Sequence, residues 1–187
     1  VSDLDFTNIS NLDTLNFANG DDIVTLGTET AEAIEGSNDA VNGNGGDDNF
    51  ALDFSNIDTN ASTVTTADDG NAVIVDLGLG QATDDGYQNG GTAVVDTITD
   101  IEVVIGTNGD DQLTGSSEAN TLRGEDGDDT IDGGAGIDYL LGGEDNDSIY
   151  GGAEVDTLLG ENGNDVLQGG TGNDSIYGGA GNDEIDK

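Results

Sequence analysis

The chain has 187 residues and carries 41 Asp and Glu against two basic residues, Arg123 and Lys187, for a formal charge of −39. So negative a surface excludes nucleic acid and anionic membranes as partners, because both are polyanions, and it calls for counter-cations. Histidine and cysteine are absent, which removes disulfides and any thiolate or imidazole site for zinc, copper or haem.

Leu, Ile, Val and Phe make up about 23% of the chain, just above the composition of disordered segments. Without bound cations the chain is expected to be loose or disordered. No apolar run approaches the ~18 residues of a membrane span, so no membrane insertion is expected. Nothing resembles a signal peptide. The opening "VSDLDFTNIS" reads as the interior of a longer sequence, so the chain is expected to be a fragment.

Residues 1–58 form a short irregular block. "LDFTNI" (4–9) returns as "LDFSNI" (52–57), and "NGNGGDDNFAL" (42–52) is one turn-like unit with Asp48 and Phe50 at key places. Residues 59–105 are β-rich connecting coils: "NAVIVDLGLGQA" (71–82) and "AVVDTITDIEVVIG" (93–106) are glycine-bounded strand runs. No segment keeps a helical period. Residues 106–187 are a regular array, continuous with the coils before it.

The array repeats every nine residues. With Gly106 as position 1, that position is glycine nine times in nine, ending at Gly178. Position 6 is Asp111, Asn120, Asp129, Asp138, Asp147, Asp156, Asp165, Asp174 and Asp183. Position 8 is always Leu or Ile, from Leu113 to Ile185. Side chains alternate across a strand, so positions 7–9 form a short strand that aims position 8 at the core. Positions 1–6 must then reverse the chain, which explains their glycines. Two units make one coil of eighteen residues. One sheet is expected to stack Leu113, Ile131, Ile149, Leu167 and Ile185, and the other Leu122, Leu140, Leu158 and Ile176. One large aliphatic in nine residues is a thin core. The same stacking sets the acids in two columns of like charge, which opposes folding unless a cation lies between them. Ca²⁺ fits such a place: it takes six to eight oxygens at ~2.3–2.6 Å, from carboxylates and carbonyls alike.

The phrases "GGAGIDYLL" (133–141), "GGTGNDSIY" (169–177) and "GGAGNDEID" (178–186) resemble the nonapeptide G-G-x-G-x-D-x-U-x of RTX (repeats-in-toxin) proteins, with U a large aliphatic. The resemblance covers residues 106–186. It implies an all-β fold, a right-handed parallel β-roll or β-solenoid with two nonapeptides per coil, with irregular coils N-terminal to the array. It also implies calcium between turns eighteen residues apart. One turn gives the carbonyls of positions 2 and 4 and the position-6 carboxylate. The next gives the carbonyls of 1 and 3 and its own carboxylate.

Carried onto this sequence, the best-matched site is Gly134, Gly136 and Asp138 with Gly151, Ala153 and Asp156. Along the same edge, Gly152, Glu154 and Asp156 face Gly169, Thr171 and Asp174, and Asn120 faces Gly133, Ala135 and Asp138. On the other edge the resemblance pairs Thr107, Gly109 and Asp111 with Gly124, Asp126 and Asp129, then Glu125, Gly127 and Asp129 with Gly142, Glu144 and Asp147. Gly143, Asp145 and Asp147 follow with Gly160, Asn162 and Asp165, and Glu161, Gly163 and Asp165 with Gly178, Ala180 and Asp183. About five to seven ions are expected. Asn120 lacks the charge, and Glu118, Asp145 and Glu154 replace glycine at position 4. Asp22 and Asp48 have no acid partner at a spacing of eighteen.

The expected function is a calcium-binding structural or adhesive segment of a larger bacterial protein. By resemblance that protein leaves the cell unfolded by type I secretion and folds on Ca²⁺ outside, so the location is secreted, extracellular or cell-surface. The alternative is a polysaccharide-binding module of a secreted carbohydrate-active enzyme, with a glycan or cell surface as partner. An enzyme is not expected, because the only candidate catalytic groups are carboxylates committed to metal. Tyr150 and Tyr177 at position 9 should lie outside on the sheets, and Arg123 should be a surface charge.

Overall fold

A computed structural model gives residues 74–82, 98 and 101–187 with their side chains, and strand backbone at 4–5, 14–16, 22–27, 40–42, 50–56, 83, 95–97 and 99. The Asp22 side chain, Asp48 and residues 57–73 lie outside the described residues, and with them the expectations placed there.

Every described element is a strand. β1 (Leu4–Asp5), β2 (Thr14–Asn16), β3 (Asp22–Gly27), β4 (Ala40–Asn42) and β5 (Phe50–Asn56) come first. β6 (Ile74–Asp76), β7 (Gln81–Thr83), β8 (Val95–Thr99) and β9 (Val103–Ile105) follow. The array supplies β10 (Gln112–Thr114), β11 (Thr121–Glu125), β12 (Thr130–Asp132), β13 (Tyr139–Gly143), β14 (Ser148–Ala153), β15 (Thr157–Asn162), β16 (Val166–Thr171), β17 (Ser175–Ala180) and β18 (Glu184–Asp186). They build two sheets, ordered β1-β3-β5-β9-β11-β13-β15-β17 and β18-β16-β14-β12-β10-β6-β7-β8-β4-β2.

Within the array, successive strands enter alternate sheets, and each pairs in parallel with the strand eighteen residues away: Leu113 opposes Ile131, and Leu140 opposes Leu158. This is the parallel β-solenoid that the nine-residue period implies. The position-8 side chains form its core: Leu113, Leu122, Leu140, Leu158 and Leu167 are 0% exposed. Val75 under Leu113 and Val104 under Leu122 extend the two aliphatic columns back into β6 and β9. Ile185, in the edge strand β18, is 43% exposed, unlike the other position-8 residues.

Two features differ from the sequence reading. Strands in the later coils run past position 9 into positions 1–3, as in Ser148–Ala153. Backbone hydrogen bonds continue around the corner, for example from Gly133 N–H to the Tyr150 carbonyl at 2.9 Å. The connecting region also breaks the parallel order: β7 pairs antiparallel with both β6 and β8. The tight turn 77–80 causes this reversal, with Gly80 at φ 67° and Leu79 N–H donating to Asp76 Oδ1 at 2.8 Å. A nine-residue period could not announce it, because the segment lies outside the period.

Candidate metal centre

The solenoid has two turn edges, and the position-6 residues line the inside of each. Asp111, Asp129, Asp147 and Asp165 stack on one edge, and Asn120, Asp138 and Asp156 on the other, all buried. The glycine at position 1 makes this possible. A Cβ on Gly151 would lie 2.6 Å from the Gly169 carbonyl oxygen and 2.8 Å from Oδ2 of Asp156. The same clash recurs at Gly124, Gly133, Gly142 and Gly160. Position 1 is glycine because the carboxylate of position 6 folds back onto it.

One carboxylate oxygen of each pair has a partner. The N–H of Asp129 donates to Oδ1 of Asp147 (2.9 Å), that of Asp138 to Asp156 (2.9 Å), and that of Asp147 to Asp165 (2.9 Å). Asp156 to Asp174 (3.0 Å) and Asp165 to Asp183 (3.2 Å) repeat the link. The other oxygen does not: Oδ2 of Asp129, Asp138, Asp147, Asp156 and Asp165 is buried without a hydrogen-bond partner. Buried carboxylate oxygens without partners are costly. Burial, the largest effect, pushes the carboxyl of Asp129 up to about 8, of Asp147 to about 7 and of Asp138 to about 6, and raises Asp156 and Asp165 too. Carboxylates of the same column add to the rise: Asp147 and Asp111 act on Asp129, and Asp156 acts on Asp138.

Main-chain carbonyl oxygens lie close to the neighbouring coil as well. A Cβ on Gly152 would fall on the carbonyl oxygen of Gly134, and one on Gly163 on that of Asp145. Carbonyls of positions 2 and 4 thus lie against the next coil, and that of Gly134 accepts the N–H of Ala153 at 3.0 Å. Among the described residues, no group of three or more acidic side chains converges as a metal cluster. A cation here would be held by two carboxylates and several main-chain oxygens, a donor set that suits a large hard ion such as Ca²⁺. The buried, unpartnered Oδ2 atoms fit that ion.

A protein-family model for the RTX calcium-binding nonapeptide repeat (4 copies) matches residues 105–140, 133–167 and 159–186. The chain carries an RTX calcium-binding repeat array. No curated protein matches the chain.

Several side chains of the RTX array sit where the sequence placed them. Tyr150 and Tyr177 are 40% and 61% exposed on the sheet surfaces. Arg123 is more than a lone surface charge, since it pairs with Glu125 Oε1 at 2.8 Å. Lying at the surface and only half-buried, that pair contributes little stability. Glu125, Asp145, Glu154 and Glu161 occupy glycine places with left-handed φ of 86°, 72°, 80° and 74°.

A column at position 5 escaped the sequence reading. Asn146, Asn164 and Asn182 each donate their N–H and Nδ2 to the side chain one coil back, on Asp128, Asn146 and Asn164, at 2.8–3.3 Å. These donors hold the Asp128 carboxyl below its usual range. Read every nine residues, the column is diluted by Ala119, Ile137 and Val155 from the opposite edge. Read every eighteen, it is Asp110, Asp128, Asn146, Asn164, Asn182.

Proposed function

We propose that this chain is a calcium-dependent structural segment of a larger secreted bacterial protein, disordered where calcium is scarce and folded where it is abundant. The supporting observation is the set of five buried Oδ2 atoms with no partner in the protein, from Asp129 to Asp165. Calcium, when bound, neutralises the two carboxylates that face each other across a coil gap. The protein's part is to fix the donors. Position-1 glycines admit the carboxylate, the Oδ1 hydrogen bonds orient it, and left-handed turns set carbonyls of positions 2 and 4 against the next coil. The expected ligands are the carbonyls of Gly134, Gly136, Gly151 and Ala153 with Asp138 and Asp156, and the equivalent atoms along both edges.

Binding is then coupled to folding. A site at ~100 times its dissociation constant adds ~2.7 kcal/mol, and several such sites together exceed ordinary domain stability. That sensitivity suits export in an unfolded form, by a type I route, followed by folding in a calcium-rich exterior with a spacer or adhesive role. Polysaccharide binding has less support. Among the described residues the exposed tyrosines are divided, Tyr139 and Tyr177 on one sheet and Tyr150 on the other, and Arg123 is engaged by Glu125.

Circular dichroism of the chelated protein during calcium addition tests this reading. A steep coil-to-β transition is expected, and a spectrum that calcium and chelator leave unchanged would refute it.

A further inference from the structure

The first coil of the array, residues 106–123, differs from every later coil in the atoms that face its position-6 side chains. Oδ2 of Asp111 accepts the N–H of Thr107 at 2.7 Å, and Oδ1 accepts the Thr107 hydroxyl at 3.0 Å. On the opposite edge, Oδ1 of Asn120 accepts the N–H of Ser116 at 2.7 Å and its hydroxyl at 3.2 Å, while Nδ2 lies 3.5 Å from the Ile101 carbonyl. Each hydroxyl also takes a backbone N–H two residues on, from Gly109 and from Glu118, at 3.1 Å. Position 2 is a hydroxyl residue only in these two turns; later it is Gly or Glu.

The backbone changes at the same place. Position 2 has left-handed φ in all seven later turns, between 74° at Glu161 and 134° at Gly143. Neither Thr107 nor Ser116 does. In the first two turns the position-2 N–H therefore points at the position-6 side chain. That puts the positive end of a peptide dipole where a cation would otherwise sit, and it occupies the lone pair a cation would use.

We infer that the first coil is a metal-free cap, closed by hydrogen bonds from Thr107 and Ser116, and that calcium sites begin at the second coil. The inference rests on the calcium reading above. The five pairs that remain are Asp129 with Asp147, Asp138 with Asp156, Asp147 with Asp165, Asp156 with Asp174, and Asp165 with Asp183. Each has one buried, unpartnered Oδ2 on its first member. The two pairs that begin in the first coil, Asp111 with Asp129 and Asn120 with Asp138, hold no calcium. The cap joins the metal-held coils to the strands before them through protein contacts alone, such as Thr121 N–H to the Glu102 carbonyl at 2.8 Å.

The test is a calcium titration of the full chain by calorimetry, with ion counts from native mass spectrometry. Asp111→Asn should superimpose on the parent in count and affinity, because an amide at that place repeats the Asn120 arrangement. Asp147→Asn should weaken two sites by about tenfold or more, since ligand charge sets calcium affinity. An ion lost, or a tenfold weaker step, in Asp111→Asn overturns the cap while leaving the calcium reading intact. A parent that takes up no calcium overturns both. Should Asp111→Asn fail to fold in saturating calcium, Asn120→Asp serves instead: an unchanged count supports the cap, and one ion gained overturns it.

Discussion

The backbone N–H of Asp138 donates to Oδ1 of Asp156 at 2.9 Å, one full coil further along the chain. The carboxylates of Asp129, Asp138, Asp147, Asp156 and Asp165 thus orient themselves by gripping the coil before them, while their Oδ2 stays free for a metal. Asp156→Ala removes both functions. It leaves a buried N–H without an acceptor, worth about 1–3 kcal/mol, and strips a carboxylate from two sites. The expected result is a thermal midpoint in calcium several degrees lower and a weaker, less steep calcium transition. Asp186→Ala, at an exposed position 9, should change neither.

Position 1 offers a second test. Gly151→Ala places a methyl group 2.8 Å from Oδ2 of Asp156 and 2.6 Å from the Gly169 carbonyl. The carboxylate or the neighbouring coil must move. We expect a stability loss of about 1–3 kcal/mol, typical of overpacking, together with reduced calcium affinity. Chemical denaturation in saturating calcium, followed by titration, measures both.

The acids in left-handed turns carry the opposite prediction. Glu154 at φ 80° stands where other units use glycine. Glu154→Gly should stabilise the calcium-loaded protein by about 1 kcal/mol. Asp145→Gly should gain less, because Asp tolerates this conformation better. Denaturant midpoints at saturating calcium decide the sign.

The pH dependence follows from the buried carboxyls. Asp129, Asp147 and Asp138 titrate at about 8, 7 and 6 in the folded, cation-free protein, against a reference of 3.8. The folded state therefore binds more protons than the unfolded chain between these values. Cation-free stability is greatest at low pH and falls as pH rises from about 4 to 8. Calcium must displace those protons, so acidification also weakens binding, by roughly tenfold per pH unit for each proton released. We expect chelated protein to gain β-structure from pH 8 to pH 5. The calcium midpoint should shift to higher concentration over the same range.

The repeat was legible because stacking converts sequence period into spatial columns. Glycine at position 1, the acid at 6 and the aliphatic at 8 each do one job in every coil, so counting in nines exposes them. The resemblance then named the ion. What stayed hidden obeys other periods. The Asn146–Asn164–Asn182 column repeats every eighteen residues, because the two edges are chemically different. The antiparallel β7 is set by a local turn and leaves no periodic trace. Asn120 read as a weak ligand on charge alone. Its Oδ1 accepts from Ser116, four residues before it, and its Nδ2 donates to the Ile101 carbonyl, which only the fold brings beside it.

A crystal structure of the calcium-loaded chain, with ions located by anomalous scattering, tests the central claim most directly. An ion is expected between each of the five carboxylate pairs from Asp129–Asp147 to Asp165–Asp183, beside Oδ2 of Asp129, Asp138, Asp147, Asp156 and Asp165. Density showing only water in those gaps, in a chain that is nonetheless folded, would contradict it.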